Sequence, residues 1–352
     1  MYGIVQTTTE IFLAWETKCG TATGYSLLSY VTAWLKTYYP IEFMTSLMIS
    51  EKGNYQQISK YIIECKRMNI KVLPPSINMS NSDFNINNKD ILFGLSVLKN
   101  IGVETVENII QNRPYKTFKE FLEKNKVDIS TVISLIKGGA FDELDTDRKK
   151  LLQEYCLSLY EPLTFKENKT INKKQKDMLI EEGYHIQEHY KDNIFCLCMY
   201  NLYKKKKTKE KNNIKLEKHT KEFEEKYMTG NKADWEFESL SIYLTEDPYE
   251  KIRGLKSFNE FTEGISEYII GTIIDIKYKN DKNRNKFCYI DLLDHTGEII
   301  ELLCGSKIYT MYYELIKKGF KVICYGVKRE ERFIVKNVQD YDTWEREHFK
   351  ED

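Results

Sequence analysis

The 352-residue sequence predicts a multidomain α+β protein, helical through its first half and ending on a small five-stranded β-barrel. Two observations carry that prediction. Apolar residues recur at three- and four-residue steps up to about residue 160, then at every second residue from about 266 to 340. Between these regions lies a lysine-dense stretch, about 161 to 240. The length suggests two or three domains, and 41% hydrophobic content is enough to build their cores.

Residues 1–23 carry no assignable pattern. From 24 to 82 the text is helical. In GYSLLSYVTAWLKTYY the positions Leu27, Val31, Trp34, Leu35 and Tyr38 form one helical face, expected to be core. Pro40 suits the first turn of a second helix carrying Phe43, Met44, Leu47 and Met48. A third helix places Ile58, Tyr61, Ile62, Cys65 and Met68 on one side, and Pro74-Pro75 ends the run. Residues 83–160 begin with a hairpin, DFNINNKDILFG, turning at Asn87–Asp90, and continue as helices with Thr117, Ser130 and Thr146 as N-caps. The stretch 161–240 reads as a Lys-rich linker, because like-charge runs repel and stay solvated; its functional alternative is non-specific phosphate contact.

Within 241–345 the expected strands are 268–278, 287–293, 298–303, 321–328 and 333–338, with a helix between the third and fourth and a tail at 346–352. Five strands with one helix in that place is the order of an OB-fold barrel.

Lysine plus arginine equals aspartate plus glutamate at 53 each, so bulk charge favours no class of partner. The eight cysteines include no C-x-x-C pair and most sit in apolar runs, which suits reduced thiols in the cytoplasm. No apolar run approaches a membrane span.

Two glycine turns between helices resemble helix-hairpin-helix units. The first is Lys99-Asn100-Ile101-Gly102 and the second Lys137-Gly138-Gly139. Glycine lets backbone amides approach a phosphate closely, and the next helix start favours an anion. Lys99 and Lys137 stand ready to add charge, while Asn100 occupies a place where glycine is preferable. These residues are the expected contacts to a duplex backbone. In the barrel, Lys277, Lys279, Lys282, Arg284 and Lys286 interleave with Tyr278, Phe287 and Tyr289. Cations there would track a single strand while rings stack on its bases; the plain alternative is a basic hairpin with core aromatics. Catalytic constellations are missing. His185 and His189 lack further metal ligands, and Asp145-Thr146-Asp147 reads as a helix cap.

The run from GYSLLSYVTAWLKTYYPIEFM through FGLSVLKNIG to LIKGGAFD resembles the C-terminal half of the bacterial replicative DNA polymerase III alpha subunit, of the C family. SIYLTEDPYEKI at 241–252 resembles the family's entry into its OB domain. The resemblance implies an all-α fingers remnant and a tandem helix-hairpin-helix domain, followed by the five-stranded OB-fold barrel. It further implies binding of primer-template duplex and single-stranded template. The family's catalytic aspartates and magnesium ions lie in an upstream palm, so this chain needs no cofactor of its own and a palm-containing polymerase chain becomes the expected partner. A family Asn-Lys-Ser-His-Ala motif is degraded to Lys18-Cys19-Gly20-Thr21-Ala22. The sliding clamp is a further family partner, although Gln187–Tyr190 is a poor match to its binding peptide. A match that opens in mid-fingers with its own Met1 favours a split or truncated polymerase subunit. The rivals are a stand-alone DNA-binding accessory protein and an inactive remnant.

Overall fold

The structure, a computed structural model, describes residues 19–245, 248–249, 252, 255–281 and 284–348. Lys18 of the degraded motif and Lys282 of the basic hairpin lie outside these, as does most of the unassigned N-terminal segment. The chain divides into two compact units, one formed by 1–148 with 231–352 and the other by 149–230.

In the first unit, α1 (Cys19–Tyr38), α2 (Pro40–Ser50) and α3 (Tyr55–Arg67) follow the expected periodicity. Pro40 opens α2, and Asn54 caps α3 by accepting from the Gln57 amide. Met44, Met48, Ile58 and Cys65 are buried as their spacing demands. The face of α1 is different. Leu27 is 65% exposed and Tyr38 66%, with Val31 and Trp34 also open, so the stripe expected as core faces outward. Periodicity marks a face that something covers, and nothing among the described residues of this unit covers it.

A small sheet follows, in which β3 (Asp90–Leu92) pairs antiparallel with β2 (Asn85–Asn87) and parallel with β1 (Val72–Leu73). Then come α4 (Val103–Gln111), α5 (Phe118–Lys124) and α6 (Ile129–Lys137). Thr117 caps α5 as expected, but Asp128, not Ser130, caps α6, because its carboxylate reaches the Thr131 amide at 3.2 Å. Phe118, Phe121, Phe141 and Tyr115 meet edge-on or stacked beneath these helices.

The barrel closes as expected, from β4 (Ser266–Asn280), β5 (Lys286–Asp294), β6 (Ile299–Cys304), β7 (Lys321–Arg329) and β8 (Arg332–Asp340). Its order is β4-β5-β6-β8-β7, with β6 and β8 parallel and the other pairs antiparallel. Helix α11 (Ser306–Tyr312) lies between the third and fourth strands. Alternate residues fill the interior, among them Cys288, Ile290, Leu292, Leu302 and Phe333.

The lysine-dense stretch is not the solvated linker its composition suggests. It forms α8 (Lys173–Glu181), α9 (Asn193–Tyr227) and α10 (Lys232–Leu240). The 35-residue α9 is capped by Asp192, and its lysines meet glutamates one turn on, as in Lys218–Glu222 and Lys221–Glu225. In the second unit, Leu179, Ile186 and Cys196 gather a small core, and Tyr155 meets Phe223 edge-on at 6.4 Å. Helix α7 (Arg148–Ser158) opens this unit, so the domain expected to run to residue 160 ends near 148. Helix α10 returns to the first unit and packs on α6.

Candidate nucleic-acid interface

The two glycine turns have opposite fates. The second is packed inward. Gly138 and Gly139 are buried, and their amides donate to Ser134 O (2.9 Å) and Ile136 O (3.1 Å). A Cβ on Gly138 would stand 2.5 Å from Leu98 Cδ2, and Gly139, at φ +85°, lies under the Arg148 guanidinium. Lys137 is 2% exposed and paired with Glu238 of α10. These three residues, expected to hold phosphate, instead serve packing: the glycines make room for Leu98 and Arg148. Arg148 ties the site together, bonding Asp142 in two places, Glu236 at 3.1 Å and the Lys137 carbonyl at 2.8 Å.

The first turn is open. Asn100 takes φ +63°, the left-handed conformation that asparagine tolerates better than most residues, and its carbonyl accepts from Thr131 Oγ1 at 3.0 Å. Gly102 is exposed and caps α4 through its backbone, so the helix-start amides face solvent. Lys99 does not join them. Its amide donates to Ser239 O, and its ammonium lies 5.7 Å from the Tyr55 ring centroid, where burial lowers its pKa to about 8.

On the barrel, Phe287 and Tyr289 alternate with buried Cys288 and Ile290 and so project outward, half-exposed, with ring centroids 5.8 Å apart. In register beside them on β4 are Lys279 and Lys277. Lys279 sits 4.9 Å above the Tyr289 ring, and the Arg332 guanidinium 5.4 Å from it. Lys277 donates to Asp291 at 2.9 Å, which raises its pKa, and Arg332 donates to Glu301 at 2.8 Å. Leu303, Ile334 and exposed Lys307 extend the same surface as a 580 Å³ groove. It is lined by the second, third and fifth barrel strands and the start of α11, and so includes the strand two–three face on which OB-folds hold oligomers. Arg284 occupies the β4–β5 turn at φ +64°. Lys286 departs from the expected cluster: its ammonium lies 4.0 Å from Tyr278 and 5.4 Å from Tyr309 of α11, on the other side of the strand. Sequence reading missed Leu303, Lys307, Arg332 and Ile334, because only barrel closure brings them beside β5.

Among the described residues no group of three or more His, Cys, Asp or Glu is placed to hold a metal ion. Asp145 instead accepts from the Asp147 amide at 3.0 Å, just ahead of α7.

A helix-hairpin-helix family model matches residues 69–151. The DNA polymerase III alpha subunit of Campylobacter jejuni is 31% identical over 322 residues, which is 86% of this chain and 24% of that protein. That of Buchnera aphidicola from Schizaphis graminum is 30% identical over 330 residues, 90% of this chain and 26% of the relative. The Thermus aquaticus subunit reaches 39% identity over 138 residues, 37% of this chain and 11% of its own length. The chain spans about a quarter of the length of such relatives. With helices, a helix-hairpin-helix region and a closed five-stranded barrel in this order, it is a homologue of the C-terminal region of the DNA polymerase III alpha subunits.

Proposed function

We propose that this chain is a DNA-gripping part of a C-family replicase whose nucleotidyl transfer is carried by a palm outside these 352 residues. The observation that carries the reading is the outward pair Phe287 and Tyr289, flanked by Lys279 and Arg332 on the oligomer-binding side of an OB-like barrel. Rings in that setting stack on unpaired bases without regard to sequence. Single-stranded template is therefore assigned to the barrel. Duplex contact falls to the open Asn100–Gly102 turn and the start of α4, a weaker grip than two hairpins would give.

The apolar face of α1 supports the partner half of the proposal. Leu27, Tyr30 and Tyr38 are each about two-thirds exposed, and a row of that kind is a surface for another protein. Any sliding-clamp contact belongs to the assembled polymerase, as does magnesium.

Titration of the full chain with a fluorescent single strand and a fluorescent duplex tests the assignment. The expected result is saturable single-strand binding at low salt, with weaker duplex binding. Absence of single-strand binding by a folded chain would overturn it.

A further inference from the structure

The long helix α9 divides its lysines into two kinds. Residues 149–230 hold 18 lysines against 13 acidic residues, a net of +5 in a chain whose total is zero. The excess is concentrated in 204–216, where seven lysines meet a single acid, Glu210. Three of the seven are engaged within their own unit. Lys204 donates to the Lys166 carbonyl at 2.9 Å and to Asn168 Oδ1 at 2.6 Å, and Lys215 donates to the Glu161 carbonyl at 2.9 Å. Lys207 pairs with Glu182 at 3.5 Å and with Glu210 at 3.7 Å, which occupies the local acid. Lys205, Lys206, Lys209 and Lys211 are exposed and make no hydrogen bond or ion pair among the described residues.

Helical geometry sets Lys205, Lys206 and Lys209 within about 100° of arc, and Lys211 on the opposite side. Side chains three and four residues apart are surface neighbours, and like charges so placed repel. Further along, the same helix answers such repulsion with glutamates one turn on, at Lys218–Glu222 (3.7 Å) and Lys221–Glu225 (4.0 Å). Between 205 and 209 it does not, so a bound anion would relieve the repulsion there. The neighbours decide which anion. Sites for a single strand combine cations with exposed rings. Here the flanking positions on the helix surface are Leu202 and Asn213, and the Tyr203 hydroxyl donates to Glu182 at 2.9 Å. A lipid surface would need the helix's apolar side, which is packed within its own unit at Cys196 and Phe223. Lysine is a compact charge suited to phosphate, and a duplex carries twice the phosphate density of one strand along its axis.

We infer that the face of α9 formed by Lys205, Lys206 and Lys209 binds the phosphate backbone of duplex DNA, a sequence-independent grip additional to the Asn100–Gly102 turn. It rests on the DNA-gripping reading above.

Fluorescence anisotropy of the full chain with a mixed-sequence duplex and with an oligothymidylate, over a range of salt, tests this. Three phosphate contacts imply a log–log slope of about −2.7 on duplex, or about a 40-fold loss of affinity between about 50 and 200 mM salt. The hairpin turn offers amides rather than cations and should add little to that slope. Lys205→Gln/Lys206→Gln/Lys209→Gln should flatten the slope by about 2.7, and glutamine is a helix former that keeps α9 intact. Lys218→Gln/Lys221→Gln/Lys226→Gln removes the same charge from positions held by Glu222, by Glu225 and by the Tyr227 ring, and should leave the slope near the native one. Oligothymidylate affinity should stay unchanged in both. An unchanged duplex slope in the first variant, or equal flattening in the second, overturns the inference. So does equal loss of oligothymidylate and duplex binding in the first variant. Lysine-dependent binding to vesicles of anionic lipid, without lysine-dependent duplex binding, would assign the face to a membrane instead. Oligothymidylate binding with no duplex binding overturns this inference alone; loss of both in the native chain overturns the DNA-gripping reading with it.

Discussion

Replacing Tyr289 with alanine is the sharpest perturbation of the barrel face. The ring is outward and half-exposed, so its loss removes the edge contact to Phe287 and the cation contacts from Lys279 and Arg332 but little core. The folding cost should stay near 1 kcal/mol, about the worth of one aromatic pair. The binding cost is larger. The two rings meet at 63°, so each offers its own surface and each can take its own base. One stacked base contributes roughly 1–3 kcal/mol, so Tyr289→Ala should weaken single-strand affinity by about five- to 150-fold, and Phe287→Ala similarly. Among the described groove residues the face is poor in free charge, because Lys277 answers Asp291 and Arg332 answers Glu301, which leaves Lys279 and Lys307. Two phosphate contacts imply a shallow salt dependence, with a log–log slope of about −1.4. Fluorescence anisotropy with an oligothymidylate at several salt concentrations reads both quantities. Unchanged affinity in both variants, with circular dichroism intact, would refute the stacking argument; a slope of about −4 or steeper would mean that cations elsewhere do the binding.

Other expectations concern packing, charge and assembly. Gly138→Ala drives a Cβ to 2.5 Å from Leu98 Cδ2 and 2.9 Å from Ser134 O, and should cost about 1–3 kcal/mol in urea denaturation while leaving DNA affinity per folded molecule unchanged. Arg148→Met takes the guanidinium from the fully buried Glu236 carboxylate, leaving it on the Leu244 and Thr245 amides, and should cost about 3–5 kcal/mol, with Arg148→Met/Glu236→Gln recovering part of the loss. Burial, ahead of repulsion from Lys318, holds the Lys99 amine near 8 against an ordinary 10.5. The unfolded chain then binds that proton more tightly than the folded one, so the Lys99 contribution to stability rises with pH between about 8 and 10.5. Lys99→Met should flatten that part of a pH-resolved denaturation series. Leu27→Glu with Tyr30→Glu on the open face of α1 should change stability by less than about 0.5 kcal/mol, yet abolish co-purification with a palm-bearing polypeptide.

The barrel was legible because its signals are local. Strand alternation and the helix between the third and fourth strands depend on neighbours in sequence, and each observed strand contains its expected range to within a residue. The orientation of the glycine turns was not legible. Gly138 is closed off by Leu98 and Ser239, about 40 and 100 residues away, and a turn motif says nothing of what packs on it. Composition misled at α9, where lysine density suggested repulsion although lysine and glutamate are good helix formers and pair at one-turn spacing. The α1 stripe was visible and its direction was not, since burial by this chain and burial by a partner leave the same pattern.

The most direct test of the replicase account is reconstitution. A palm-bearing C-family polypeptide is assayed for primer extension on a single-stranded template, with and without the full chain. The account predicts a stable complex and longer extension products, both reduced by Leu27→Glu/Tyr30→Glu, with product length reduced by Tyr289→Ala. A chain that neither associates with the palm polypeptide nor changes product length contradicts it.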